Sequence, residues 1–206
     1  GELGDGAGIL TSIPFDFLGI DPSFAVASLF APTDELCYQK SIEIFENTFA
    51  QFGLIVDSYR EIPINPKAIG KAARDSMPKM VQVFIKRPSH CRTTTSFEEL
   101  LYTAKQMVRT NQSKKGIKSE FFFNSLSART IVYKALATSH QLDEFYLDLK
   151  EPDFKVAFVM FHRRFSTNTL PSWDKVQPFR MIAHNGEINT IEGNRAAAVS
   201  RELALG

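Results

Sequence analysis

Apolar and polar positions alternate at several distinct periods along this chain, and each period predicts an element. Between Pro32 and Gly53, Cys37, Ile44, Phe45, Phe49 and Phe52 recur at helical spacing. Thr33 is the expected N-cap, Asp34 and Glu35 place acids in the first turn, and Gly53 ends the run. Leu54–Tyr59 then reads as a strand, Asn65-Pro66 opens a short helix, and Met80–Ile85 alternates as a half-buried strand. Ser96-Phe97-Glu98-Glu99 has the form of a capping box ahead of Leu100, Leu101, Ala104, Met107 and Val108. Residues 33–109 therefore predict α-β-α-β-α. Strands prevail on either side, at Ile9–Ile13, Glu120–Phe123, Arg129–Tyr133, Lys155–Phe161 and Phe179–Ala183, before a helix from Ile188 to Leu205. The pattern divides best into an α/β subdomain, residues 33–118, inserted into a larger αβ layer.

Composition narrows the class. A length of 206 residues suits one sizeable domain, and 44% hydrophobic residues support a real core. Phenylalanine (18, against 5 Tyr and 1 Trp) should dominate that core. Lys and Arg total 24 against 23 acids, a balance that argues against a polybasic nucleic-acid binder. No apolar run reaches the roughly 20 residues of a membrane helix. Two cysteines, Cys37 and Cys91, are too few for a disulfide scaffold and fit a reducing compartment, so a soluble cytoplasmic protein is expected. Charge is uneven: residues 1–39 hold six acids and no Lys or Arg. Lys105, Arg109, Lys114, Lys115 and Lys118 form an acid-free run, expected as a solvated helix end and a turn at Gly116.

Candidate chemistry concentrates late in the chain. Gly4-Asp5-Gly6-Ala7-Gly8 lacks the Lys-Ser/Thr of a phosphate loop, so a tight turn feeding a strand is the favoured reading. Phe161-His162-Arg163-Arg164-Phe165-Ser166-Thr167-Asn168 follows an apolar strand. An arginine with hydroxyl and amide groups at a strand end can clamp a carboxylate, because guanidinium binds both oxygens at once. His184-Asn185-Gly186-Glu187 offers an Asn amide beside an unobstructed glycine N–H, two donors suited to an oxyanion. A nucleophile is harder to find. Cys37 falls on the apolar face of a helix and is expected in the core. Cys91 adjoins His90, but neighbouring residues seldom aim their side chains at each other. Ser166 and Ser172 have no evident partners. His162 and His184 could meet across strands, yet two histidines make a poor metal site, so buried, bonded histidines are expected.

The stretch Phe158–Asn194, FVMFHRRFSTNTLPSWDKVQPFRMIAHNGEINTIEGN, resembles the glutaminase domain of glutamate synthase, a class-II, N-terminal-nucleophile glutamine amidotransferase. GDGAGILTSIP at 4–14, SLSARTIVYKAL at 125–136 and FYLDL at 145–149 are similar to further signatures of that family, in the same order. The resemblance identifies residues 1–206 as a partial domain of this type. It implies an α+β, four-layer αββα sandwich. By position, Arg164 corresponds to the residue that grips the glutamine α-carboxylate, Thr167 and Asn168 to neighbouring substrate-binding places, and Asn185 with Gly186 to the oxyanion hole. Arg163 stands where the family usually has Gln and adds a charge. The family's nucleophile is an N-terminal cysteine ahead of the GDGAG element, and the acid that holds the substrate amino group lies beyond the HNGEINT helix. Neither is expected within this stretch, which alone is expected to hydrolyse no glutamine. FMN and an iron–sulfur cluster are implied for the intact enzyme and no cofactor for this part of it. The implied partners are glutamine and a synthase domain of the same or another chain, with no nucleic acid and no membrane. The implied location is the cytoplasm, or a plastid for a plant or algal source. The competing expectation is a nucleophile-less paralogue that binds glutamine or glutamate without turning it over.

Overall fold

A computed structural model describes residues 6–115, 121–164, 171–179 and 191–205; for Ile191, Asn194 and residues 201–205 it describes the backbone. The elements run β1 (Ala7–Ser12), α1 (Phe15–Leu18), β2 (Ala25–Ala31), α2 (Glu35–Gln51), β3 (Ile55–Glu61), α3 (Lys71–Asp75) and β4 (Lys79–Lys86). They continue with α4 (Thr94–Lys114), β5 (Phe122–Ser127), β6 (Thr130–Ala135), α5 (Leu142–Phe145), β7 (Val159–His162) and α6 (Ile191–Leu205). Single 3₁₀ turns lie at Pro66–Ala68, Leu147–Lys150 and Trp173–Lys175. The class is mixed α+β, with two antiparallel sheets of order β3-β4-β2-β5 and β6-β1-β7. The stretch 33–118 supplies β3 and β4 to the same sheet as β2 and β5, which flank it in sequence.

Burial explains why one strand escaped the sequence pattern. All seven residues of β2, Ala-Val-Ala-Ser-Leu-Phe-Ala, are buried, so no polar position marks a solvent face. On one face Ala25, Ala27, Leu29 and Ala31 pack with Phe45 and Phe49 of α2 and with Phe97, Leu101 and Val108 of α4. On the other, Val26 and Phe30 join Ile131 and Tyr133 of β6, together with Phe145 and Trp173. The β4 strand was expected to be half-buried and is instead buried from Met80 to Ile85, because Val81, Val83 and Ile85 pack with Phe45, Phe97 and Leu101 of α2 and α4, and Met80 and Phe84 with Ile131 and Tyr133 of β6.

The long helices lie where the periodicity put them, but their caps differ. Asp34, not Thr33, caps α2, accepting from the Cys37 N–H at 2.8 Å. Thr93 and Ser96 form the box at α4, with the Ser96 N–H donating to Thr93 Oγ1 at 3.1 Å and the Thr93 N–H to Ser96 Oγ at 3.3 Å. Glu98 instead accepts from the Ser127 hydroxyl and the Ala128 N–H, both at 2.7 Å, which secures the β5–β6 turn. Capping depends on which residue leaves helical φ/ψ first, and composition alone does not determine that. Met107, assigned to the apolar stripe of α4, is 40% exposed. Gly53 has φ +68°, the left-handed turn expected after α2. Arg109, Lys114 and Lys115 are exposed, as a solvated helix end requires, while Gly116 and Lys118 lie outside the described residues. The later strands shift: β5 begins at Phe122, and β7 runs Val159–His162 where Lys155–Phe161 was expected. The Phe179–Ala183 strand falls almost wholly outside the described residues, as do 188–190 at the start of the last helix.

Candidate functional site

The site is built on one row across the three-stranded sheet. Gly8 of β1 pairs with Lys134 of β6 on one side and with His162 of β7 on the other. Residues directly opposite in antiparallel strands share a face. Gly8 sits in the middle because there is no room for a side chain. A Cβ there would meet the Gln177 carbonyl oxygen and Lys134 Cβ, each at 2.6 Å, and Pro178 Cδ at 2.8 Å. The segment 171–179 therefore crosses β1 at a distance that only glycine allows.

That segment is held at two further points. Trp173 is buried, its ring edge-on to Phe30 at 5.5 Å and 6.0 Å from Phe145, and its Nε1–H donates to the Ala73 carbonyl at 3.3 Å. Between Trp173 and the Gly8 contact, the fully buried Lys134 donates from Nζ to the Asp174 carbonyl at 3.0 Å and the Val176 carbonyl at 2.8 Å. The same ammonium lies 4.8 Å from the ring centres of Phe122 and Phe179 and 5.7 Å from that of Phe30. Burial pushes Lys134 down to about 7, with the Asp174 charge opposing the shift and Lys105 adding to it. Among the described residues no carboxylate pairs with it.

At the other end of the row, β7 terminates at His162, and Arg163 and Arg164 follow as exposed residues. Burial lowers the half-buried His162 imidazole, with the Arg164 backbone partly opposing, and its buried Nδ1 has no partner among the described residues. The expected buried, bonded histidine is thus only half-buried, with no bond at Nδ1 among the described residues. Thr167 and Asn168, and likewise His184, Asn185, Gly186 and Ser166, lie outside the described residues. Cys37, expected in the core, is partly buried on the first turn of α2. Cys91 is buried in the helix-side core while His90 is exposed, so the two make no pair. The turn reading of residues 4–8 is overtaken for Gly8, which belongs to β1 and serves close packing; Gly4 and Asp5 lie outside the described residues.

The opposite face of β6 carries a second polar cluster. Arg60 of β3 makes two bonds to Asp148, at 2.7 and 2.8 Å, and a third to Gln82 of β4 at 2.8 Å. Gln82 donates to the Tyr133 hydroxyl at 2.8 Å, and that hydroxyl donates to Asp148 at 3.0 Å. Bonding to Asp148 raises the Arg60 guanidinium, and burial drives the Tyr133 phenol well up. The cluster ties the two sheets together through partners that satisfy one another.

Lys134 and Gly8 were missed in the sequence. A lysine inside the apolar run Ile131–Leu136 was the available signal, and by itself it is equally compatible with an outward-facing strand position. Among the described residues no group of three His, Cys, Asp or Glu could hold a metal ion, and no helix is long and apolar enough to cross a membrane.

Comparison with known proteins places this geometry in context. The family model for class-II glutamine amidotransferases matches residues 1–206. Ferredoxin-dependent glutamate synthase 1 of Arabidopsis thaliana is 39% identical over 215 residues, covering 99% of this chain and 13% of that protein. The large chain of the NADPH glutamate synthase of Bacillus subtilis is 38% identical over 202 residues, covering 94% of this chain and 13% of its own length. The corresponding large chain of Azospirillum brasilense is 37% identical over 209 residues, again 13% of the longer protein.

Proposed function

The chain belongs to the class-II glutamine amidotransferases, and from that premise we propose that it is part of the glutaminase domain of a glutamate synthase. Such a domain releases ammonia from the side-chain amide of glutamine. A cysteine thiolate attacks the amide carbon, the C–N bond breaks with a proton delivered to the leaving nitrogen, and a γ-glutamyl thioester remains for water to hydrolyse. On this reading Arg164 grips the substrate α-carboxylate through both oxygens, with Thr167 and Asn168 beside it. The Asn185 amide and the Gly186 N–H face the tetrahedral oxyanion. Ammonia then passes to a synthase domain that forms glutamate from 2-oxoglutarate.

The observation that carries this reading is convergence at one end of the three-stranded sheet. β7 ends opposite Gly8, two residues before Arg164, and residues 177–178, seven residues before Asn185 and Gly186 in sequence at their nearest, rest on that same Gly8. The four-layer αββα arrangement is inferred on the same footing, supported by helices α2 and α4 on one face of the four-stranded sheet and the second sheet against its other face. The subdomain 33–118 is then a lobe whose strands extend that sheet. Cys91 is buried and Cys37 stands in the first turn of α2, so neither is free at an N-terminus to serve as the nucleophile, and residues 1–206 alone turn over no glutamine. On this reading FMN and an iron–sulfur cluster belong to other parts of the enzyme; a cluster is held by about four thiolates, and this sequence has two cysteines, Cys37 and Cys91. The proposed location is the cytoplasm or a plastid.

The test is kinetic, in the full-length protein. Arg164→Ala raises KM for glutamine with little change in kcat, and Asn185→Ala lowers kcat roughly 10²–10³-fold. Unchanged kinetics in either variant defeats its assigned role. Glutamine turnover by residues 1–206 alone, sensitive to Arg164→Ala, would point to a nucleophile inside this stretch.

A further inference from the structure

We propose that Lys134 is a positioning residue for the oxyanion hole: it clamps residues 174–176 onto β6 and so fixes where the chain departs toward Asn185 and Gly186. This rests on the amidotransferase reading and extends it to a residue that never touches substrate.

The geometry argues for a clamp rather than for a chance buried charge. A lysine inside a sheet sandwich ordinarily finds a carboxylate or turns its amine to water. Lys134 is fully buried and has no carboxylate partner among the described residues, and it spends two of its N–H donors on backbone carbonyls two residues apart, those of Asp174 and Val176. Phe122 and Phe179 offer their ring faces to the same ammonium, which makes it tolerable at that depth. The strand beneath is itself anchored, since the Tyr146 hydroxyl donates to the Lys134 carbonyl at 2.7 Å. Immediately beyond the clamped carbonyls, Gln177 and Pro178 settle on Gly8, where a methyl group would not fit. Lys134 and Gly8 are direct partners across β6 and β1. The clamp and the seat are therefore parts of one device, the first drawing the segment down and the second setting how far. Donors to a developing oxyanion act only when their aim is right, so a small shift in the segment that leads to them is felt in the transition state more than in substrate binding.

The experiment compares wild type, Lys134→Met and Gly8→Ala in the full-length protein. Methionine keeps the apolar stem and removes every donor; alanine pushes the same segment from beneath. Two quantities are read: hydrogen exchange of peptides covering 171–179, with β2 and β4 peptides as the control for folding, and glutaminase kcat and KM. The expected result in both variants is faster exchange in 171–179 with β2 and β4 still protected. With it comes a kcat lower by roughly 10- to 100-fold and a KM for glutamine within about twofold of wild type. If Lys134→Met loosens β2 and β4 as well, Gly8→Ala decides by the same two readings. Unchanged exchange in 171–179 overturns the clamp. Faster exchange with unchanged kcat, or a rise in KM alone, overturns its role in positioning. A wild-type protein that turns over no glutamine, with Asn185→Ala indistinguishable from it, defeats the amidotransferase reading and the catalytic half of this proposal with it. The exchange data still decide whether the clamp exists.

Discussion

Tyr133 and Lys134 are consecutive on β6, equally buried, and face opposite ways, as neighbours on a strand must. The Tyr133 face is closed: arginine, aspartate, glutamine and phenol satisfy one another across both sheets. The Lys134 face is open in charge among the described residues, an ammonium held by two carbonyls and three rings. Equal burial thus has unlike consequences. A closed network holds its charges in place and is expensive to break. An ammonium drawn down to about 7 by burial, with no carboxylate partner among the described residues, sits near its titration point and couples the strand to whatever its carbonyl partners lead into.

The largest break in the comparison comes from the closed side. Asp148→Ala leaves the Arg60 guanidinium without its anion and removes an acceptor from Tyr133. Because Arg60 is partly solvent-exposed, we expect a loss near the low end for a broken buried pair, about 3 kcal/mol, in the unfolding free energy read from exchange of β2 and β4 amides.

The open side should respond to pH instead. The folded-state value of Lys134, about 7, lies below its ordinary 10.5, so between these limits the unfolded chain holds a proton that the folded chain has released. Stability therefore rises with pH across that window, and the burden of the buried charge is full below about 7. Lys134→Met abolishes the slope. Relative to wild type the variant should gain about 2 kcal/mol on going from pH 9 to pH 7, a difference in which titrations shared by the two proteins cancel. Parallel pH profiles would mean that the lysine is not titrating where its burial puts it.

A site remote from both faces supplies the smallest effect and the control. Thr93→Ala removes the α4 cap and should cost about 1 kcal/mol, with glutaminase kcat and KM unchanged. A kinetic change here would show that general loosening, rather than the Lys134 face in particular, governs activity.

Much of the fold was legible locally. The α2 and α4 stripes, the strands around them and the turn at Gly53 all followed from spacing, because amphipathic elements advertise their buried side. The caps at Asp34 and Thr93 were missed by one and three positions, since Thr33 and Ser96 have the right chemistry one or more residues away from where the backbone turns. β2 was missed because burial on both faces erases alternation. The candidate site divided differently. Arg164, Thr167, Asn168, Asn185 and Gly186 were visible as chemistry in short motifs, whereas Lys134 and Gly8 showed no sign of their roles.

The chain's own letters determined its α+β content, its two long helices and its membership of an amidotransferase family, because those rest on local periodicity and on contiguous motifs. They also determined that Tyr133 and Lys134 point to opposite faces, a consequence of strand geometry alone. What each face meets was left to the tertiary structure. Arg60 and Asp148 reach Tyr133 from 73 residues before and 15 after, and the carbonyls that hold Lys134 come from 40 and 42 residues further on. Contacts over such separations depend on how the sheets stack, and only the folded chain decides that one lysine is a clamp and one glycine its seat.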